Sequence, residues 1–148
     1  MSDPAVDVIS IDYHVGHRPP IDDVLALYRA TTLGARRPVD DAGRILRMLE
    51  TANVVVTAWE GTRLVGLSRA MSDFGWVCYL ADLLVHEAWQ GRGIGKELIR
   101  RTHETAGGEG DITLILVSAP QAMTFYEAAG FDKMNDGWRR ARRAPGAG

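Results

Sequence analysis

The sequence has a single cysteine, Cys78. No intrachain disulfide can close, and the fold must rest on an ordinary packed core. Such sparing use of cysteine fits a reducing compartment, so a cytoplasmic location is expected. No run approaches the roughly 18 consecutive apolar residues of a membrane span. The opening MSDPAVDVIS lacks a basic stretch followed by an apolar one, and no signal peptide is read there. Neither charge sign dominates. The formal net charge of −2 excludes a global field that would gather nucleic acid or anionic lipid. There is no internal repeat and no low-complexity block. His14-x-x-His17 falls in a loop, and no metal is expected there.

What remains is a 148-residue chain, 46% hydrophobic and 24% charged. That length suits one domain over residues 1–148, with residues 1–5 and 144–148 as loose ends. Alternation of Val6, Val8, Ile9, Ile11 and Tyr13 predicts a first strand over 6–13, followed by a loop from His14 to Pro20. Ile21, Val24, Leu25 and Tyr28 keep helical spacing and predict a helix over 21–32. Asp40 or Asp41 can cap a second helix whose face is Ala42, Ile45, Leu46 and Leu49. Val54–Trp59 and Arg63–Met71 read as a hairpin about Glu60-Gly61-Thr62. Trp76–Val85 reads as a long strand, Gly93–Ala106 as a helix, Ile112–Val117 as a buried-type strand and Pro120–Ala129 as a helix. Phe131–Met134 and Trp138–Arg142 are expected to form a last hairpin about Asn135-Asp136-Gly137. The expected fold class is α/β: a central mixed sheet of six to seven strands flanked by about four helices.

The chemistry concentrates after the long strand, in Leu83-Leu84-Val85-His86-Glu87-Ala88-Trp89-Gln90-Gly91-Arg92-Gly93-Ile94-Gly95-Lys96. A strand ends, a short turn follows, and a glycine-rich loop opens a helix. Glycine lets backbone approach a ligand closely, and the amides at a helix start attract phosphate. A Walker loop is excluded, since Gln90 occupies the upstream glycine position and Glu97 replaces Ser/Thr. A dinucleotide fingerprint is excluded too. The third glycine position holds Lys96, and five residues separate Val85 from Gly91.

Gln90, Gly93 and Gly95 satisfy Gln-x-x-Gly-x-Gly, which resembles motif A of the GNAT acetyltransferases. The segment Ala122-Met123-Thr124-Phe125-Tyr126-Glu127-Ala128-Ala129-Gly130-Phe131 resembles that family's other hallmark. The likeness is specific over about residues 80–131. It implies a GNAT-like acyl-CoA N-acyltransferase fold with acetyl-CoA as cosubstrate. It implies that Gln90, Gly91, Arg92, Gly93, Ile94, Gly95 and Lys96 carry the coenzyme pyrophosphate, with Arg92 and Lys96 helping to neutralise it. It implies that the backbone of Leu83, Leu84 and Val85 pairs with the pantetheine arm. Tyr126 takes the position of a general acid that protonates the leaving thiolate, work a phenol with a pKa near 10 can do. Where many members carry an asparagine, about seven residues before that tyrosine, this chain has Ala119.

The general base stays open. Tyr79, Ala81, Leu83 and Val85 share one face of their strand and include no carboxylate. Asp82 points to the other face and is expected to be a structural hydrogen-bonder. Asp73 and Glu87 are the other candidates. Cys78 is expected to be a buried small hydrophobe, and Phe125, Ala128 and Phe131 to be core. In the family, Arg36, Arg37, Phe74 and Trp76 would flank the acceptor cleft. Arg139, Arg140, Arg142 and Arg143 are read as a solvent-facing strand, without the interleaved aromatics of a nucleic-acid surface. The expected reaction is acetyl transfer to a primary amine of a small molecule. A non-catalytic acetyl-CoA-binding regulatory module and a protein lysine or N-terminal acetyltransferase stand as alternatives. No nucleic-acid or membrane partner is expected, and a homodimer is compatible with the sequence.

Overall fold

Val54-Val55-Val56-Thr57 is a run of β-branched residues, whose side chains lose rotamer freedom in a helix and pack well on a pleated surface. In the computed structural model, which describes residues 10–143, it begins a central strand of one mixed sheet. The strands are β1 (Asp12–Val15), β2 (Val54–Glu60), β3 (Arg63–Ser72), β4 (Val77–Val85) and β5 (Thr113–Ile115), in spatial order β1-β2-β3-β4-β5. Pairing is antiparallel from β1 to β4 and parallel between β4 and β5. The helices are α1 (Ile21–Arg29), α2 (Ala42–Thr51), α3 (Ile94–Ala106) and α4 (Met123–Ala128). Contacts divide the chain into two compact units, one up to Val117 and one from Ser118.

In the first unit each sheet face is covered. Leu27, Tyr28, Ile45 and Leu49 of α1 and α2 pack on Val55, Leu67 and Leu84. Ile94 and Leu98 of α3 pack with Val56, Ala58, Val65 and Trp89, and with Leu83 and Val85 at the edge of that cluster. Gly66 lets α3 come close. A Cβ there would lie 3.0 Å from Leu98 Cδ1 and 3.2 Å from Ile94 Cγ2. That contact helps set the position of the glycine loop, because the loop opens α3.

Several expectations are corrected. Of the first strand, Val6, Val8 and Ile9 lie outside the described residues. The observed strand runs on through His14 and Val15, because these still pair with Thr57 and Val56. Gly16 at φ +82° then turns the chain. Helix α1 ends at Arg29, not Thr32. Thr31 folds its amide and hydroxyl back onto the Tyr28 carbonyl, and Thr32–Arg36 tightens into a 3-10 turn. Asp41 is the cap of α2, accepting from the Arg44 amide at 3.0 Å. The buried face of α2 is Ile45 and Leu49 with Met48 packed against them, while Ala42 and Leu46 are exposed.

The last hairpin is not formed, so the described sheet has five strands. Its turn signal was local, whereas an isolated hairpin needs an apolar face to bury. Trp138 is 99% exposed and Met134 50% exposed, so neither limb supplies one. The arginines at 139, 140, 142 and 143 are exposed outside any strand.

Candidate active site

Val85 ends β4, and the next amide, His86 N–H, donates to Val65 of β3. His86 Nδ1 then accepts from the Ala88 amide at 3.1 Å and caps a single 3-10 turn. Trp89 drops into the core, and Gln90 Nε2 reaches back to the Val85 carbonyl at 3.1 Å. The glutamine thus closes the turn onto the strand end. Gly91 and Gly93 follow at φ +78° and +84°, a region L side chains rarely adopt, with open space where a side chain would stand. Gly93 caps α3, so the first-turn amides of Ile94, Gly95 and Lys96 have no carbonyl within the helix to bond. The Ile94 side chain is buried, so this residue offers the loop only its backbone.

Because the His86 amide faces β3, alternation turns the backbone groups of Val85 and Leu83 to the opposite side, where β5 lies. Those of Leu84 face β3, and its side chain is fully buried. The ladder to β5 is short: Val77 faces Thr113, Cys78 faces Leu114 and Tyr79 faces Ile115. Among the described residues no pair follows, so from Leu80 to Val85 this edge of β4 runs on without its neighbour.

A bulge sits where the two strands part. Arg69 pairs with Asp82 and Ala70 with Leu80, leaving Ala81 as the extra residue. Asp82 is 1% exposed and satisfies the classical requirement for a buried charge, full pairing. It accepts from the Tyr28 hydroxyl, from Arg37 Nε at 2.7 Å and from Arg69 Nε at 2.7 Å. Arg37 Nη2 also donates to the Ala81 carbonyl at 3.0 Å. Burial, and next the adjacent carboxylate, push the Tyr28 phenol well above its ordinary range. Asp82 is therefore a structural anchor. Arg37, expected at the acceptor cleft, is committed to it, while Arg36 is exposed.

The other acids are placed as follows. Asp73 Oδ1 accepts from the amides of Gly75, Trp76 and Val77 at 2.7–3.0 Å. These bonds, the Gly75 amide foremost, lower its pKa and make it a poorer base. The turn it organises holds Phe74 at φ +59°. Phe74 and Trp76 are 52% and 74% exposed. Glu87 is exposed on the short turn after β4. Cys78 is fully buried, and burial raises its thiol pKa. A thiol kept protonated is a poor nucleophile. Among the described residues no three His, Cys, Asp or Glu side chains converge as metal ligands.

The second unit carries Tyr126 on α4. A 3-10 turn with Pro120 at its start leads into the helix, and Gly130 at φ +92° follows its end. The Tyr126 ring meets Phe125 at 5.1 Å and Phe131 at 5.5 Å between centroids, both edge-on. All three are half-buried, whereas Ala128, expected in the core, is exposed because the short helix turns it outward.

Residue patterns alone did not reveal Arg63 or Trp89. The Arg63 guanidinium lies 5.1 Å from the Trp89 ring centroid, and that of Arg92 lies 6.0 Å from it. The only available signal was an aromatic residue directly before the loop glutamine.

A family of acetyltransferase (GNAT) domains matches residues 40–142. The uncharacterized N-acetyltransferase ycf52 of Porphyra purpurea is 36% identical over 76 residues, 51% of this chain and 44% of that protein. The histone acetyltransferase TAP1 of Glycine max is 38% identical over 80 residues, covering 53% of this chain and 32% of that one. The chain spans less than half the length of these two relatives. A GNAT family acetyltransferase from Streptococcus pneumoniae TIGR4 matches in structure with a TM-score of 0.65 at 22% identity, covering 90% of this chain and 100% of that one. The aminoglycoside N-acetyltransferase AAC(6′)-Iy, solved in complex with CoA, matches at a TM-score of 0.71 and 16% identity, covering 91% and 96%. These two structures share the fold.

Proposed function

The chain belongs to the GNAT acetyltransferase family, and on that premise we propose that it moves an acetyl group from acetyl-CoA to a primary amine of a small molecule. The observation that carries this reading is the opened sheet edge. β4 outruns its ladder with β5 and leads, through one 3-10 turn, into a glycine loop whose helix-start amides have no partner in the helix. Residues 1–148 are taken as one such domain.

In this reading the amides from Gln90 to Lys96 hold the pyrophosphate, with Arg92 and Lys96 adding charge. The backbone of Leu83 and Val85 pairs with the pantetheine arm, and Leu84 keeps their spacing from within the β3 ladder. The amine nitrogen attacks the thioester carbon, the C–N bond forms, the C–S bond breaks, and the departing thiolate takes the Tyr126 proton, while the proton shed by the attacking nitrogen passes to water and the Tyr126 phenolate is reprotonated from solvent. Tyr126 holds this role on the resemblance and on the chemistry of a phenol. Asp82 and Asp73 are committed to other donors, which leaves Glu87, or attack by the fraction of amine already deprotonated in water, as the routes to a neutral nucleophile.

A small-molecule acceptor is supported by the aminoglycoside N-acetyltransferase that shares the fold. One observation favours a second reading, a regulatory module that binds acetyl-CoA without turnover: Leu83 and Val85 bring no carboxylate to the α3 side of β4, and the bulge at Ala81 breaks the alternation expected to put Tyr79 on their face. Thiol release from acetyl-CoA across aminoglycosides, polyamines and lysine peptides separates the readings. Release with a small amine supports the enzyme, and release with peptides alone moves the acceptor to protein. Binding without any release supports the module. Tyr126→Phe should lower turnover by about 100-fold with the KM for acetyl-CoA nearly unchanged. Unaltered turnover removes Tyr126 from the mechanism.

A further inference from the structure

Several arginines of the first unit are already engaged. Arg29, Arg37, Arg69, Arg100 and Arg101 each meet a carboxylate, and Arg18 meets backbone carbonyls. Arg63 and Arg92 meet no carboxylate among the described residues. They gather instead on one ring, that of Trp89, although Arg63 opens β3 and Arg92 belongs to the glycine loop. The ring is a fixed pedestal. It is 7% exposed and wedged with Val65, Ile94 and Leu98, and its buried Nε1 has no hydrogen-bond partner.

Each guanidinium gains from the ring's negative face. Two cations drawn to one ring also repel each other, and the positive end of α3 adds to the same field. An anion close to both relieves that repulsion. The loop amides suit a pyrophosphate, whereas Arg63 lies off the loop, on the tip of the β2–β3 hairpin. Because Arg63 stands outside the loop, it suits a second, separate phosphate group rather than the pyrophosphate. Guanidinium forks match a terminal phosphate monoester, which carries close to two charges at neutral pH.

We propose that Arg63 and Arg92, seated on Trp89, form a subsite for a phosphate monoester, the ribose 3′-phosphate of the acyl-CoA cosubstrate. This rests on the acetyl-CoA reading and adds to it a residue, Arg63, outside the glycine loop. Arg63 sets specificity for the phosphorylated cosubstrate and takes no part in the chemical step.

The test is a calorimetric comparison of acetyl-CoA with 3′-dephospho-acetyl-CoA, on the wild type, Arg63→Met and Arg92→Met, at low salt. Methionine keeps most of the apolar stem over the ring, and unchanged thermal unfolding confirms that the exposed Arg63 is not needed for folding. The wild type should bind acetyl-CoA about tenfold more tightly than the dephospho form. Arg63→Met should erase most of that preference by weakening acetyl-CoA alone, leaving the dephospho affinity within about twofold of wild type. Tight wild-type binding of both ligands with equal affinity overturns the subsite and leaves the acetyl-CoA reading standing. Equal weakening of both ligands by Arg63→Met also overturns it. Failure of the wild type to bind either ligand overturns the acetyl-CoA reading, and the subsite with it.

Discussion

Arg37 donates Nε–H to Asp82 Oδ1 at 2.7 Å and Nη2–H to the Ala81 carbonyl at 3.0 Å. One guanidinium thus holds both residues of the bulge at which β4 leaves β5. The same carboxylate takes Tyr28 from α1 and Arg69 from β3, so the loop after α1, the helix itself and two strands meet at one buried charge.

Removing members of this cluster should have unequal effects. Arg37→Ala leaves Asp82 paired with Arg69 and should cost about 1–3 kcal/mol. Asp82→Ala leaves the Arg69 charge buried without its partner and should cost about 3–5 kcal/mol. Urea unfolding of the two variants checks the order. Equal losses would mean that Asp82 is not the hub.

Gly93→Ala places a methyl group at φ +84°, beside the cap of α3. The strain should cost about 1–3 kcal/mol and disturb the loop amides. Gly16→Ala at φ +82° carries the same backbone strain away from the loop. Acetyl-CoA affinity should fall about tenfold or more in the first variant and stay unchanged in the second. A parallel fall in both would assign the effect to stability alone.

Glu97 lies in the first turn of α3 and bonds Arg100 and Arg101, with its side chain 29% exposed. These contacts, the Arg100 hydrogen bond foremost, lower its pKa from 4.5 to about 2. A depressed carboxylate stabilises the fold fully above its unfolded pKa and loses that contribution as pH falls toward the folded value. For a largely solvated ion pair the contribution is about 0.3–1 kcal/mol. Glu97→Gln should therefore be less stable than wild type at pH 7, and the gap should close between pH 4.5 and about 2. A gap that persists at pH 2 would place its origin outside this ionisation.

Local signals in the sequence carried far where a single element decides the outcome. The glycine loop at the start of α3, the Asp41 cap, the β2–β3 hairpin and the buried Asp82 all follow from residue type and spacing. Long-range partners did not. Tyr28, Arg37 and Arg69 reach Asp82 from three other elements, and no local periodicity reports that meeting. The same holds for Arg63 over Trp89. The turn at Asn135-Asp136-Gly137 misled, because turn chemistry proposes a hairpin while burial of its limbs decides whether one forms. The buried face of α2 shifted for a related reason: Leu46 and Met48 are both apolar, and only the packing partner selects Met48.

The most direct measurement is a calorimetric titration of acetyl-CoA into the purified protein, with S-acetyl-pantetheine as the comparison. The account predicts micromolar binding of acetyl-CoA that the truncated ligand cannot match, because the loop from Gln90 to Lys96 would hold the phosphates. No binding of acetyl-CoA at millimolar concentration, or equal binding of the two ligands, would contradict it.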